Sequence, residues 1–240
     1  MTKELYLEDS YRFSCTSQII ALHELRNKVT VAQTVVYPGG GGQPADQGLI
    51  IAAGIQHRII QLDKDEHNHA IYMIDGTLPE SVKEIQIQID EEKRRQHMRY
   101  HTLLHLLSGY FYQEFGALAT SSQIATDYAR LELTFSEDRL PEKLDQAELE
   151  TYLNAVAQAG HPVSIRTVNK DLLAQSTGLL KTVKNLLPEH VAEVRVVKIR
   201  GIDEQACGGT HLHDTREIGA FQLLQLKNKG RLKKRIKVAL

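Results

Sequence analysis

The apolar period of this chain changes at residue 90, and that change does most to limit what it can fold into. Before it, short runs of β-branched residues recur, and Ile85-Gln86-Ile87-Gln88-Ile89 alternates strictly, as a strand with one buried face does. After it, Glu91 to Phe115 repeats with helical spacing. Met98, His101, His105, Ser108 and Tyr112 share one helix face, and Tyr100, Leu104, Leu107 and Phe111 form the apolar stripe beside it. Asp90 stands where an N-cap is needed, with Glu91 and Glu92 well placed in the first turn. The switch divides the chain into two expected domains, 1–89 and 90–240.

The first domain reads as a small β-barrel, because it offers several short strands and no convincing helix. Strands are expected at Val29 to Tyr37, Leu49 to Ala52 and Ile85 to Ile89, and a hairpin from His57–Leu62 and His69–Ile74 around the polar loop Asp63 to Asn68. The second domain reads as α+β, with helices packed on a mainly antiparallel sheet. After the long helix come a strand at Arg130 to Phe135 and a helix opened by Pro141 and running to about Ala159. Strands then follow at Val163 to Val168, Val191 to Ile199, Phe221 to Leu226 and Leu232 to Val238. The three hydroxyls of Thr120-Ser121-Ser122 suit an ordinary turn.

Two short pairs carry the chemistry. His101-x-x-x-His105 places both imidazoles on one helix face, one turn apart, and Cys207-x-x-x-His211 lies in a glycine-bearing loop between strand-like runs. One thiolate and three imidazoles are a soft-to-borderline donor set that suits zinc better than calcium or magnesium. The helix reads His101-Thr102-Leu103-Leu104-His105, without the glutamate of the H-E-x-x-H metalloproteases, and no P-C-x-x-C accompanies a H-x-E as in the zinc deaminases.

A composition of 42% hydrophobic and 25% charged residues is that of a soluble globular protein. No apolar stretch approaches the roughly 18 residues of a membrane span, the start does not read as a secretory signal, and two cysteines are too few for a disulfide framework. A cytoplasmic protein without membrane contact is expected. Net charge is −1, so any polyanion must meet a local patch. One exists between Lys227 and Lys237, where seven cations occur with no acid and apolar residues alternate among them. Two readings suit such a strand: phosphate binding, or an edge strand kept from aggregating by its lysines. A second unusual segment, Tyr37-Pro38-Gly39-Gly40-Gly41-Gly42-Gln43-Pro44-Ala45-Asp46-Gln47-Gly48, fits neither a phosphate-binding P-loop nor a dinucleotide fingerprint. Four successive glycines lose much entropy on ordering, so something there requires backbone without side chains.

Taken together, Tyr37-Pro38 with Gln43-Pro44-Ala45-Asp46-x-Gly48, the His101/His105 helix, Ser121-Ser122-x-Ile124-x-x-Asp127-x-x-Arg130, and Cys207-Gly208-Gly209-Thr210-His211 before Glu217-Ile218-Gly219 resemble the alanyl-tRNA editing family. These are relatives of the editing domain of alanyl-tRNA synthetase, and the glycine-rich N-terminal domain is similar to that of the medium-length class. The resemblance implies hydrolysis, in trans, of the ester joining a wrong amino acid to tRNA(Ala), with serine as the main substrate and glycine as another. It carries His101, His105, Cys207 and His211 over as zinc ligands. The Gly208-Gly209 backbone is expected to stabilise the tetrahedral oxyanion, and a hydroxyl of Thr120, Ser121 or Ser122, Thr120 foremost, to contact the substrate side chain. His213 is a spare ligand or base, or a surface residue. Four protein ligands normally close a zinc site, so either the ion expands its shell, a ligand leaves, or the ion shapes the pocket for a nearby water. Gly39, Gly40, Gly41, Gly42 and Gln43, with Lys233, Lys234 and Arg235, are the expected contacts to the tRNA acceptor stem. Two other readings compete: an editing domain of the threonyl-tRNA synthetase type acting on Ser-tRNA(Thr), and a non-catalytic RNA-binding module stabilised by zinc.

Overall fold

The computed structural model describes residues 1–170, 179, 181 and 192–240. The chain divides into two compact units: Met1–Gly39 with Ala45–Arg95, and Gly40–Pro44 with Gln96–Leu240. The architecture is α+β with an N-terminal barrel.

In the first unit, Lys3–Glu4 (β1) pairs with Gln33–Thr34 (β4), and six strands close a barrel. They are Ser14–Leu22 (β2), Lys28–Val31 (β3), Gly48–Ala52 (β5), Ile55–Lys64 (β6), Ala70–Ile74 (β7) and Glu84–Ile89 (β8), in the order β2-β3-β7-β6-β5-β8. The alternation of β8 turns Ile85, Ile87 and Ile89 inward, where they pack with Val29, Val31, Ile50, Tyr72 and Ile74. The hairpin around Asp63 to Asn68 forms as β6 and β7. The expected strand from Val29 to Tyr37 breaks into two short pieces, because local side chains claim its backbone. The Thr34 hydroxyl accepts from Val36 N, and the Val35 carbonyl accepts from the buried guanidinium of Arg94. Ser14–Leu22 forms a strand that the sequence pattern did not announce.

The long helix, Glu91–Phe115 (α1), starts as expected, with Asp90 Oδ1 accepting from Lys93 N at 3.0 Å. Met98, Leu103, Leu106, Leu107 and Phe111 are fully buried along it. In the second unit, Leu118–Ile124 (β9) and Ala129–Thr134 (β10) follow, so Thr120, Ser121 and Ser122 lie in a strand rather than a turn. The next helix, Gln146–Ala159 (α2), begins five residues after Pro141. Asp145 fixes that start, because its carboxylate accepts from Ala147 N and Glu148 N, whereas proline offers no acceptor for those donors. Val163–Asn169 (β11), Glu193–Ile199 (β12) and Asp203–Ala206 (β13) make an antiparallel sheet; Val191 of the expected strand lies outside the described residues. Gln222–Gly230 (β14) and Lys233–Ala239 (β15) join β10 and β9 in the order β14-β15-β10-β9. The basic run is therefore split: β15 is internal, which removes the edge-protection reading for Lys233, Lys234, Arg235 and Lys237, while Lys227 and Lys229 lie on β14 at the edge of the sheet. Residues Leu179 and Lys181 accept backbone hydrogen bonds from Ala206 on β13 and Ala119 on β9.

Candidate metal centre

His101 and His105 project from α1, and the loop after β13 supplies Cys207 and His211. One donor atom from each of the four lies within 4.8 Å of the others. Cys207 Sγ is 3.6 Å from His101 Nε2 and 3.4 Å from His211 Nε2. All three imidazoles are buried and the sulfur is half-buried.

What fits this cluster for a cation is the hydrogen bonding behind it. His101 Nδ1 meets Gln43 Oε1 at 2.7 Å, His105 Nδ1 meets Asp203 Oδ2 at 3.0 Å, and His211 Nδ1 meets Thr102 Oγ1 at 3.2 Å. Each ring is tied at Nδ1 to an oxygen that can accept, which turns Nε2 toward the centre. The outer groups are themselves held. Gln43 Oε1 also accepts from Thr210 N and its amide donates to Thr210 Oγ1 at 2.9 Å. Thr102 Oγ1 accepts from Leu212 N at 3.1 Å. Asp203 Oδ2 accepts from Gln205 Nε2 at 2.8 Å, while its Oδ1 pairs with the buried ammonium of Lys181 at 2.5 Å.

The protons follow this geometry. Burial works against a charged sulfur at Cys207, yet the three imidazoles pull its thiol well below the ordinary range. Burial likewise works against charging His105, but the Cys207 thiolate and the Asp203 carboxylate outweigh it and lift His105 to about 9. His211 is held well below its ordinary value by burial and by the charges of His101 and His105. The thiolate is thus the favoured form of the sulfur, as a metal ligand requires.

Two glycines are required by close approach. A Cβ on Gly209 would lie 2.1 Å from His101 Cε1, and one on Gly42 would lie 2.5 Å from the Ser122 carbonyl oxygen. Gly209 N donates to Cys207 Sγ at 3.4 Å, so that N–H supports the sulfur, while Arg195 clamps the loop through the Cys207 and Gly209 carbonyls. Gly208 is exposed, and a Cβ there would meet nothing within 4 Å.

The remaining expected site residues are spread more widely. Thr120 Oγ1 donates to the Glu132 carbonyl at 3.2 Å, and Ser122 Oγ donates to the Gly41 carbonyl at 2.9 Å. Ser121 is hydrogen-bonded to the Glu132 carboxylate. Gly39, Gly40, Gly41 and Gly42 all take positive φ, but the Gln43 side chain is buried against His101 and Thr210 and is not free to meet RNA. Lys234 Nζ donates to Asn228, and Arg235 pairs with Glu132; Lys233 is exposed. The His213 backbone N donates to Glu217. Asp203, Gln205, Thr102 and Lys181 went unnoticed in the sequence. Only the closeness of Asp203 and Gln205 to Cys207 hinted at them.

The family described as "Threonyl and Alanyl tRNA synthetase second additional domain" matches residues 194–237, a stretch that includes Cys207 and His211. Over those residues the chain is similar to a domain of the threonyl- and alanyl-tRNA synthetases. Alanyl-tRNA editing protein AlaX-M of Methanosarcina acetivorans is 30% identical over 98% of both chains, as is that of Saccharolobus solfataricus. The alanine–tRNA ligase of Pyrobaculum neutrophilum is 29% identical over 94% of this chain and 25% of its own. The chain belongs to the alanyl-tRNA editing protein family, AlaX.

Proposed function

We propose that this protein is a cytoplasmic hydrolase that removes a wrong amino acid from tRNA(Ala) in trans, chiefly serine and also glycine, using zinc held by His101, His105, Cys207 and His211. One observation carries the reading. Three imidazoles and a thiolate converge, each ring oriented from behind, in a chain similar to alanyl-tRNA editing proteins over 98% of its length. The borderline nitrogens and single thiolate favour zinc over magnesium or calcium. When bound, zinc supplies a Lewis acid that polarises the aminoacyl ester or a neighbouring water.

The chain's own residues account for orientation and selectivity. The Gly208 N–H, at the open side of the loop, is the donor assigned to the tetrahedral oxyanion; Gly209 supports the thiolate instead. Thr120, Ser121 and Ser122 are the candidate contacts to the substrate side chain. The Thr120 and Ser122 hydroxyls already donate to backbone carbonyls, so each has lone pairs left to accept from a seryl O–H. Alanine would leave that acceptor unpaired, which is how a second site rejects the correct amino acid. An active site shaped for alanine discriminates against serine or glycine by only roughly 10–200-fold, so such a second site is needed. The backbone of Gly39 to Gly42 and the basic strand β15 are assigned to the acceptor stem. Residues 1–89 and 90–240 are read as a tRNA-directed barrel domain and an editing domain.

The test is hydrolysis of Ser-, Gly- and Ala-tRNA(Ala), with Ser-tRNA(Thr) as competitor, by wild type and Cys207→Ala. Rapid loss of the seryl ester from tRNA(Ala), sparing of the alanyl ester, and loss of activity in the variant are expected. No hydrolysis by folded, zinc-loaded protein would overturn the reading and leave a zinc-stabilised RNA-binding module. Preference for Ser-tRNA(Thr) would move the substrate to the other tRNA.

A further inference from the structure

The outward face of the four-stranded sheet carries two rows of polar side chains that the metal centre does not use. Strand register sets them out. Gln123 on β9 faces Arg130 on β10, which faces Lys237 on β15, which faces Gln225 on β14. Beside this row lie Ser121, Glu132, Arg235 and Lys227 in the same strand order. The alternate residues Leu131, Ile236 and Val238 are buried on the other side.

The two rows differ in charge balance. In the second, the Glu132 carboxylate accepts from Arg235 Nε at 2.8 Å, and Lys227 is exposed. The first row has two cations directly opposed and no acid. Like charges in that position destabilise a sheet unless an anion lies between them. Arg130 Nε is buried without a hydrogen-bond partner among the described residues, and Lys237 Nζ sits 3.7 Å over the Tyr128 ring. Solvated lysines on an edge strand would explain none of this, and β15 is internal. The row spans three inter-strand spacings, roughly 14 Å, with an amide at each end able to donate or accept.

We propose that the row Gln123, Arg130, Lys237 and Gln225 is a docking surface for the phosphodiester backbone of RNA, with Arg130 and Lys237 each neutralising a phosphate. This rests on the reading of the protein as acting on tRNA, and it names the surface that holds that substrate. It moves the main contact along β15 from Lys234, whose ammonium is bonded to Asn228, to Lys237. Glu132 limits the surface by neutralising Arg235.

The test is binding of uncharged tRNA(Ala) transcript to full-length, zinc-loaded protein, followed by fluorescence anisotropy through a KCl titration. Removing two phosphate contacts should flatten the slope of log affinity against log salt by roughly 1.4 to 1.8 in Arg130→Gln/Lys237→Gln. The charge-preserving pair Arg130→Lys/Lys237→Arg should keep the slope. Glu132→Gln, which frees Arg235, should steepen it by up to about 0.9. Lys143→Gln, an exposed lysine before α2, is the control. An unchanged slope in the folded double glutamine variant, or an equal change in the control, overturns the proposal. Should that variant fail to fold, the single variant Lys237→Gln decides: its slope should flatten by roughly 0.7 to 0.9, and an unchanged slope overturns the proposal. Hydrolysis of Ser-tRNA(Ala) with an unchanged slope removes the surface and leaves the hydrolase; a flattened slope without hydrolysis does the reverse.

Discussion

Gln43 shows how much one side chain can be asked to do. Its amide oxygen accepts from His101 and from Thr210 N, and its amide nitrogen donates to Thr210, so one residue from the glycine loop ties a histidine of the helix to the Cys207–His211 loop. The run of glycines brings backbone close enough for this, since a Cβ at Gly42 would strike the Ser122 carbonyl. Removing an outer-shell partner of a metal-bound histidine typically weakens metal binding 10–100-fold. Gln43→Ala should therefore lower zinc affinity by about that range, read by competition with a chromophoric chelator, while leaving the barrel strands intact. Unchanged affinity would mean that His101 holds its orientation without help.

The elements are set by local chemistry in some places and by distant partners in others. Asp214 caps the short 3-10 turn Thr215–Ile218 with a capping box, and it keeps the chain after His211 in place. Its carboxyl is held below the usual aspartate value by the Arg216 side chain and the Arg216 N–H, against a smaller opposing effect of burial. A depressed folded value means that the cap contributes fully above the ordinary aspartate range and is lost as pH falls through the lower folded value. Asp214→Ala should thus cost about 1 kcal/mol in urea unfolding near neutral pH and progressively less on acidification. A cost that stayed constant into acid would show that the capping charge is not what holds the turn. Caps of this kind are readable when they stand alone, as Asp90 was. They mislead when a second candidate competes, as Pro141 did with Asp145.

At the level of the whole molecule, the two units have separate reasons to be stable. The barrel closes on its own apolar core of Val29, Val31, Ile50, Tyr72, Ile74 and the β8 isoleucines. The second unit gathers three imidazoles and a thiolate in one place, so a cation bound there would add its binding free energy to the stability of that unit. Chelation should therefore lower the unfolding free energy of the second unit by about 4 kcal/mol when zinc is present at 1,000 times its dissociation constant, and leave the barrel transition where it was. Differential scanning calorimetry with and without chelator separates the two. Equal shifts of both transitions, or none, would contradict this division.

The sequence by itself determined the class of each half, because periods of two and of 3.6 are properties of neighbouring residues. It also determined the four candidate ligands, because both pairs sit at a spacing that one turn of helix or one loop imposes. Only the tertiary structure decided which groups stand behind those ligands: Gln43 lies 58 residues from His101, and Asp203 lies 98 residues from His105. It alone decided that β15 is internal and that Arg130 meets Lys237 across it. Such pairings are made through space, where strand register and helix approach set the distance, and no local period records them.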